Sequence, residues 1–268
     1  MRLGIVSDEV HPDLAYAAKW AAERGITRME LRALWGQRVP DLTFTQLQET
    51  KLILDDYGIC VSGLSPGIFK CSLYEHEFIH QQDRLKRTID MAGELGTRKI
   101  ICFGVRKDPD DPQDAALRVT ELLQSFSCEA SSQGCLLCFE NEPGYYNGTP
   151  DEILRLQEAV YAQGGRLNWD MGNLFMAGYR EYKNFYERLK PYIASIHMKD
   201  YLPDGICVPL GEGCLAWDRQ IRDFITDDLT FMGEAMDMNL ETHCKPLEEC
   251  ARRSFEFAAA CIDRITGK

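Results

Sequence analysis

Residues 136–170 read LLCFENEPGYYNGTPDEILRLQEAVYAQGGRLNWD. An apolar run, LLCF, ends in Glu140 and Glu142. Thr149-Pro150-Asp151-Glu152 then opens a helix, with Thr149 as the cap and Pro150 at the first position, where a missing N–H is harmless. After Gly164-Gly165 a second short run, RLNWD, closes on Asp170. This is strand, helix, strand, and a crossover of that length joins parallel strands.

The same rhythm extends in both directions. Short apolar runs predict strands at Leu3–Ser7, Arg28–Ala33, Ile59–Leu64, Lys99–Val105, Leu136–Glu142, Arg166–Asp170, Ala194–Lys199 and Met238–Thr242. Asp13 caps a helix with Leu14, Ala17, Ala18 and Ala21 on one face and Gly25 past its end. Thr43 to Tyr57 stops at Gly58. Glu75 to Leu95 carries Phe78, Leu85, Ile89 and Ala92 on a stripe and stops at Gly96; Pro246 to Ile265 is the last helix. Eight units in 268 residues give about 33 residues each, a comfortable βα repeat. No G-x-G-x-x-G follows the first strand, no G-x-x-x-x-G-K-[ST] occurs, and no large linker divides the chain. The expected fold is α/β: one (β/α)8 TIM barrel domain over residues 1–268.

Composition limits the function. With 45% apolar and 27% charged residues the chain is ordinary globular material, which excludes disorder, collagen and coiled coil. Thirty Lys and Arg against 42 Asp and Glu give a net charge of −12, which disfavours binding to phosphate backbones. No run approaches the roughly 18 apolar residues of a membrane span. The opening MRLGIVSDEV reads as a strand, not an export signal. Eleven cysteines without a disulfide-like framework point to reduced thiols and a cytoplasmic location. Cys135 and Cys138 form a C-x-x-C, but three residues apart on a strand they face opposite ways, so they read as structural thiols. The expected partner is a small-molecule substrate, with no nucleic acid and no membrane; homo-oligomerisation stays open.

In such a barrel, chemistry gathers at the C-terminal ends of the strands. The last four strands end in CFENEP, NWDMGN, SIHMKD and NLETH. Glu140, Asp170, His197 and Glu241 each follow a stretch that should be buried. A lone carboxylate at a strand end is usually solvated, and a lone His beside apolar residues is usually a satisfied core residue. Four consecutive strands ending this way are harder to dismiss. Three carboxylates in one mouth repel strongly at low dielectric, and a divalent cation removes that penalty. Three carboxylates and one imidazole suit Mn2+, Mg2+ or Co2+ with open positions for substrate; Zn2+ is also compatible.

Taken together these residues resemble the xylose-isomerase-like TIM-barrel superfamily, within its sugar phosphate isomerase/epimerase group. The resemblance includes VSDE at the start, MELR at 29–32, SPGIFK at 65–70, FENE, WDMGN, IHMKD, PLGEG at 209–213 and LETH. It implies that Glu140, Asp170, His197 and Glu241 bind one metal ion, and that Glu140 and Glu241 are the acid/base pair. The implied activity is epimerisation or isomerisation of a sugar or related polyhydroxy carbonyl compound through an enediolate. Two alternatives share the site: a dehydratase of keto-inositol or dehydroshikimate type, and a non-catalytic sugar-binding barrel. Many members carry a His three residues after the sixth-strand Asp; here that position is Asn173. The extra His ligands of the endonuclease IV relatives are missing, which argues against an abasic-site nuclease.

Other mouth residues should read the substrate: Arg32, Lys70, Glu142, Asn173, Lys199 and His243. Arg32, Lys70 and Lys199 could bind an anionic group; the plainer alternative pairs Arg32 with Glu30 and Lys199 with Asp200. His11, His76 and His80 read as surface residues. Trp35 and Trp217 are expected on loops, and Gly211-Glu212-Gly213 is a candidate flexible lid.

Overall fold

The computed structural model describes residues 1–73 and 75–267, without the side chains of 75–77, so the expectation for His76 lies outside the described residues. The eight long strands are β1 (Arg2–Val6), β2 (Arg28–Leu31), β3 (Cys60–Leu64), β4 (Lys99–Cys102), β5 (Leu136–Glu140), β6 (Arg166–Asp170), β7 (Ile193–Met198) and β8 (Asp237–Leu240). They close into a barrel in the order β1-β8-β7-β6-β5-β4-β3-β2. Every neighbouring pair whose register is described is parallel. The expected (β/α)8 barrel is therefore the observed one.

By its contacts the chain divides into two compact units: residues 1–37, 43–62 and 195–268, and residues 38–42 with 63–194. In the first, β1 pairs with β2 (Val6 beside Glu30) and with β8 (Gly4 beside Asn239), and β8 pairs with β7 (Asn239 beside His197). Strand alternation sets Arg28, Glu30 and Arg32 on one face of β2 and its exit. It does the same for Ser195, His197 and Lys199, and for Asp237, Asn239 and Glu241. These rows are unusually polar for barrel strands, and hydrogen bonds tie them together. Arg2 and Arg28 both reach the buried Asp237, at 2.9 and 3.1 Å. Asn239 Nδ2 donates to Glu30 Oε2 at 3.1 Å, and Ser62 Oγ donates to Asn239 Oδ1 at 3.2 Å. Gly4 makes room for this: a Cβ there would collide with Asn239 Oδ1.

In the second unit, β4, β5 and β6 lie side by side. Asn141 pins two strand ends, donating to the Asp170 carbonyl at 2.7 Å and accepting from the Asp170 N–H at 3.0 Å. Asn147 Nδ2 donates to the Glu140 carbonyl at 2.8 Å. Thr149 and Glu152 form a full capping box on the helix Pro150–Val160. Trp169, on the opposite face from Asp170, packs on Phe185 and Tyr186. Cys135 and Cys138 are both buried, as structural thiols should be, and burial pushes the Cys135 thiol up.

The helix caps expected at Asp13 and Thr149 are both present, and Thr43 caps the helix Phe44–Asp56 as well. Strand ends differ: β1, β2, β4, β5, β7 and β8 stop before the expected ends. Arg32, Lys199 and Glu241 thus lie one residue past their strands. Trp217 is not on a loop. It starts the helix Trp217–Thr226, is buried, and its indole N–H donates to the Lys199 carbonyl at 2.8 Å. No described helix is long and apolar enough to cross a membrane.

Candidate metal centre

In the second unit, Glu140 ends β5 and Asp170 ends β6, and both are buried. Asn173 serves both. Its backbone N–H donates to Asp170 Oδ1 at 2.8 Å, so Asp170 caps the short helix Met171–Met176. Its side-chain amide donates to Glu140 Oε1 at 3.0 Å and to the Asn141 carbonyl at 2.9 Å. A neutral amide thus holds Glu140. Lys70 Nζ lies 3.6 Å from Glu142 Oε2 and over the Phe103 ring, and both charged side chains are partly exposed.

The first unit is more highly charged. Glu241 Oε1 accepts from Arg32 Nη1 at 2.7 Å; its Oε2 lies 2.8 Å from Lys199 Nζ and 3.0 Å from His197 Nδ1. Burial alone would raise the Glu241 carboxyl, but Lys199, His197 and His243 outweigh it and hold it well below the usual carboxylate range. On the other side of the imidazole, His197 Nε2 faces both oxygens of Glu30, at 2.9 and 3.1 Å. Arg32 also grips Asp8 through Nε at 3.0 Å and Glu9 through Nη2 at 2.6 Å.

Glu9 in turn organises the residues after β8. It accepts from the His243 N–H at 2.8 Å and from Thr242 Oγ1 at 3.1 Å, and its other oxygen lies 3.1 Å from His243 Nδ1. Burial works against the charged form of Glu9; the hydrogen bond from His243 and the charge of Arg32 bring its carboxyl down to about 2. Burial likewise works to lower His243, and Glu9 and Glu241 reverse that and raise it.

One ligand atom from each of Glu140, Asp170, His197 and Glu241 fits within a 4.8 Å span, and all four residues are buried. The set fits a divalent ion on the chemistry of its donors: three carboxylates need a compensating cation, and an ammonium already lies against Glu241. The four residues expected as ligands are thus brought together. Glu9, Glu241 and His243 form a second such group, but the Arg32 guanidinium already bridges Glu9 and Glu241.

The remaining expected residues fall as follows. Arg32 pairs with Asp8, Glu9 and Glu241 instead of Glu30, and Lys199 pairs with Glu241. Asp200 is occupied elsewhere, accepting from the backbone N–H groups of Tyr201, Gly211, Gly213 and Leu215. Those bonds tie down the Gly211-Glu212-Gly213 segment that composition marked as flexible. Asp8 and Glu9 received no role from sequence, and Glu30 only that of an ion-pair partner for Arg32. The available signal was position: SDE follows β1, and Glu30 shares a face with Arg32.

The xylose isomerase-like TIM barrel family model matches residues 18–264, and the chain belongs to that family. No curated protein matches it in sequence. Among solved structures it is similar to the probable 3-DHS dehydratase AsbF of Bacillus anthracis, with 16% identity, 97% and 99% of the two chains covered and a TM-score of 0.81. It is equally similar to a D-tagatose 3-epimerase-like protein, with 16% identity, 100% and 99% covered and a TM-score of 0.81. A xylose isomerase-like TIM barrel protein of Mycobacterium smegmatis, solved with magnesium, gives 18%, 99% and 97%, and 0.74.

Proposed function

We propose that this protein is a divalent-metal-dependent enzyme that epimerises or isomerises a sugar or related polyhydroxy carbonyl compound. The observation that carries the reading is the buried cluster, in which two glutamates, one ending β5 and one just past β8, belong to a set that could hold one metal ion. The ion, Mn2+, Mg2+ or Co2+ first and Zn2+ next, would supply a Lewis acid for the charge that develops on a carbonyl oxygen when the neighbouring carbon loses its proton. Glu140 and Glu241 would move that proton. One removes it from one face of the carbon and the other delivers a proton to the opposite face, giving the epimer. Delivery to the former carbonyl carbon instead gives the isomer. Asn173 holds Glu140 without competing for its proton, because an amide does not titrate. Lys70, Glu142, Lys199 and His243 would read the substrate's oxygens. The eleven cysteines form no disulfide, which suits a reducing, cytoplasmic setting.

A specific observation favours dehydration as a second reading. Arg32 and Lys199 hold Glu241 ionised, which makes it a poor carrier of a proton. Glu140 alone would remove the proton and pass it to a β-hydroxyl, which would then leave as water. One experiment separates the readings. Metal-loaded protein is incubated in D2O with ketoses, inososes and dehydroshikimate, and products are followed by NMR. Deuterium at the epimerised or isomerised carbon supports the first reading. An unsaturated product supports the second. Binding with neither exchange nor product would make this a sugar-binding barrel and overturn both.

A further inference from the structure

Strand β2 supplies no member of the metal cluster, yet one of its residues, Glu30, and the residue just past its end, Arg32, grip two of the members. Glu30 is fully buried, and both its oxygens lie within 3.1 Å of His197 Nε2. Asn239 Nδ2 fixes the carboxylate from the side, at 3.1 Å. A ring nitrogen that donates its hydrogen to a carboxylate has no lone pair for a metal. The nitrogen left for the cluster is Nδ1, the one 3.0 Å from Glu241 Oε2. Two residues on, Arg32 sends Nη1 to Glu241 Oε1 at 2.7 Å. Asp8 and Glu9 anchor the rest of its planar fork, so the guanidinium is held at three points. That leaves Oε2 of Glu241, the oxygen shared by His197 Nδ1 and Lys199 Nζ, on the side of the cluster.

We propose that β2 and its exit preset the metal-binding geometry: Glu30 is the positioning residue for His197, and Arg32 is the positioning residue for Glu241. The assignment rests on metal binding by the cluster, the first half of the proposed function, and not on the reaction that follows. Glu30 fixes the tautomer and the ring plane and makes the imidazole a better donor. Arg32 fixes which carboxylate oxygen is presented, and it prevents Asp8, Glu9 and Glu241 from pushing one another apart.

The test is the dissociation constant for Mn2+ and Zn2+, measured by competition with a chromophoric chelator. The proteins are wild type, Glu30→Gln, Glu30→Ala and Arg32→Lys, each checked for folding by circular dichroism. Glu30→Ala should weaken binding by roughly 10–100-fold, the usual loss for a partner behind a metal ligand. Glu30→Gln keeps an accepting oxygen without the charge, so it should recover part of that loss and remain about fivefold weaker than wild type. Arg32→Lys keeps the charge but cannot span three carboxylates, and about tenfold weaker binding is expected. In zinc-loaded wild type, 15N NMR should show His197 protonated on Nε2 and metal-bound through Nδ1.

Wild-type affinity in Glu30→Gln, or zinc on Nε2, overturns the role of Glu30, and this holds even where Glu30→Ala fails to fold. Unchanged affinity in Arg32→Lys overturns the role of Arg32. None of these readouts uses a substrate. Absent turnover with intact metal binding therefore refutes only the proposed reaction, whereas a wild-type protein that binds no divalent ion overturns both.

Discussion

Replacing Asp200 with asparagine probes how the segment after β7 is held. Asp200 is buried, and its two oxygens accept four backbone N–H groups: Tyr201 and Leu215 on Oδ1 at 2.9 and 3.2 Å, Gly211 and Gly213 on Oδ2 at 3.0 and 3.2 Å. Whichever oxygen becomes an NH2 group, two of the four donors then face a donor. Each lost bond to a charged acceptor is worth about 1.5–3 kcal/mol. The segment can open to water and rehydrate, so the lower sum, about 3 kcal/mol, is the expected cost. That corresponds to roughly a 10²-fold rise in local opening, at 1.4 kcal/mol per factor of ten. Hydrogen exchange at the Gly211 and Gly213 amides reads this directly. If the loss is global, Tm should fall by roughly 6–12 °C. Gly213→Ala should act in the same direction, because a Cβ there would run into the Asp200 carboxylate. Wild-type exchange at both amides in Asp200→Asn would refute the reasoning and return this segment to the mobile lid that its glycines suggested.

Glu140→Gln or Glu241→Gln should lower kcat by about 10²-fold or more on the substrate identified by the D2O screen, because each keeps its shape and loses a basic oxygen. His197→Ala should reduce bound metal, measured by elemental analysis of protein prepared without chelators; equal metal content would remove His197 from the ligand set. Asn173→Ala should impair turnover more than it impairs metal content, because Glu140 loses the amide that orients it. The Glu9–His243 pair predicts a pH window. Glu9 is brought down from 4.5 to about 2, so its contribution is present above about pH 4.5 and is lost as pH falls toward 2. His243 is raised above 6.5, so its contribution is full below pH 6.5 and is lost as pH rises through its folded value. The stability gap between wild type and Glu9→Gln in urea melts should therefore be widest between about pH 4.5 and 6.5, and a gap independent of pH would contradict this.

The barrel was legible because its signals are local. Thr149, Pro150 and Glu152 act within one helical turn, and each apolar run announces its own strand. The four candidate ligands were legible because each follows such a run. What supports them was not legible, because support crosses long stretches of chain. Glu30 meets His197 across 167 positions, and Arg32 meets Glu241 across 209. Nothing in MELR says which distant residue each side chain will find. The local alternatives, Arg32 with Glu30 and Lys199 with Asp200, were reasonable by proximity in sequence. They lost to partners brought near by sheet closure. The helix Trp217–Thr226 was hidden for another reason: its first cap is Ala216 in the left-handed region, with no capping side chain to mark the start.

Gly4 touches none of the four candidate ligands, yet its hydrogen atom leaves the space that Asn239 Oδ1 occupies. Asn239 holds Glu30, and Glu30 holds His197. A methyl group at the fourth residue of the chain would thus be felt at an imidazole three contacts away. In a survey of all substitutions, this position should tolerate change as poorly as a ligand, and lost metal rather than lost solubility should be the first symptom. Sequence drift in such a protein is then constrained along a line of touching side chains as well as around its mouth, and the smallest residue on that line is one of its fixed points.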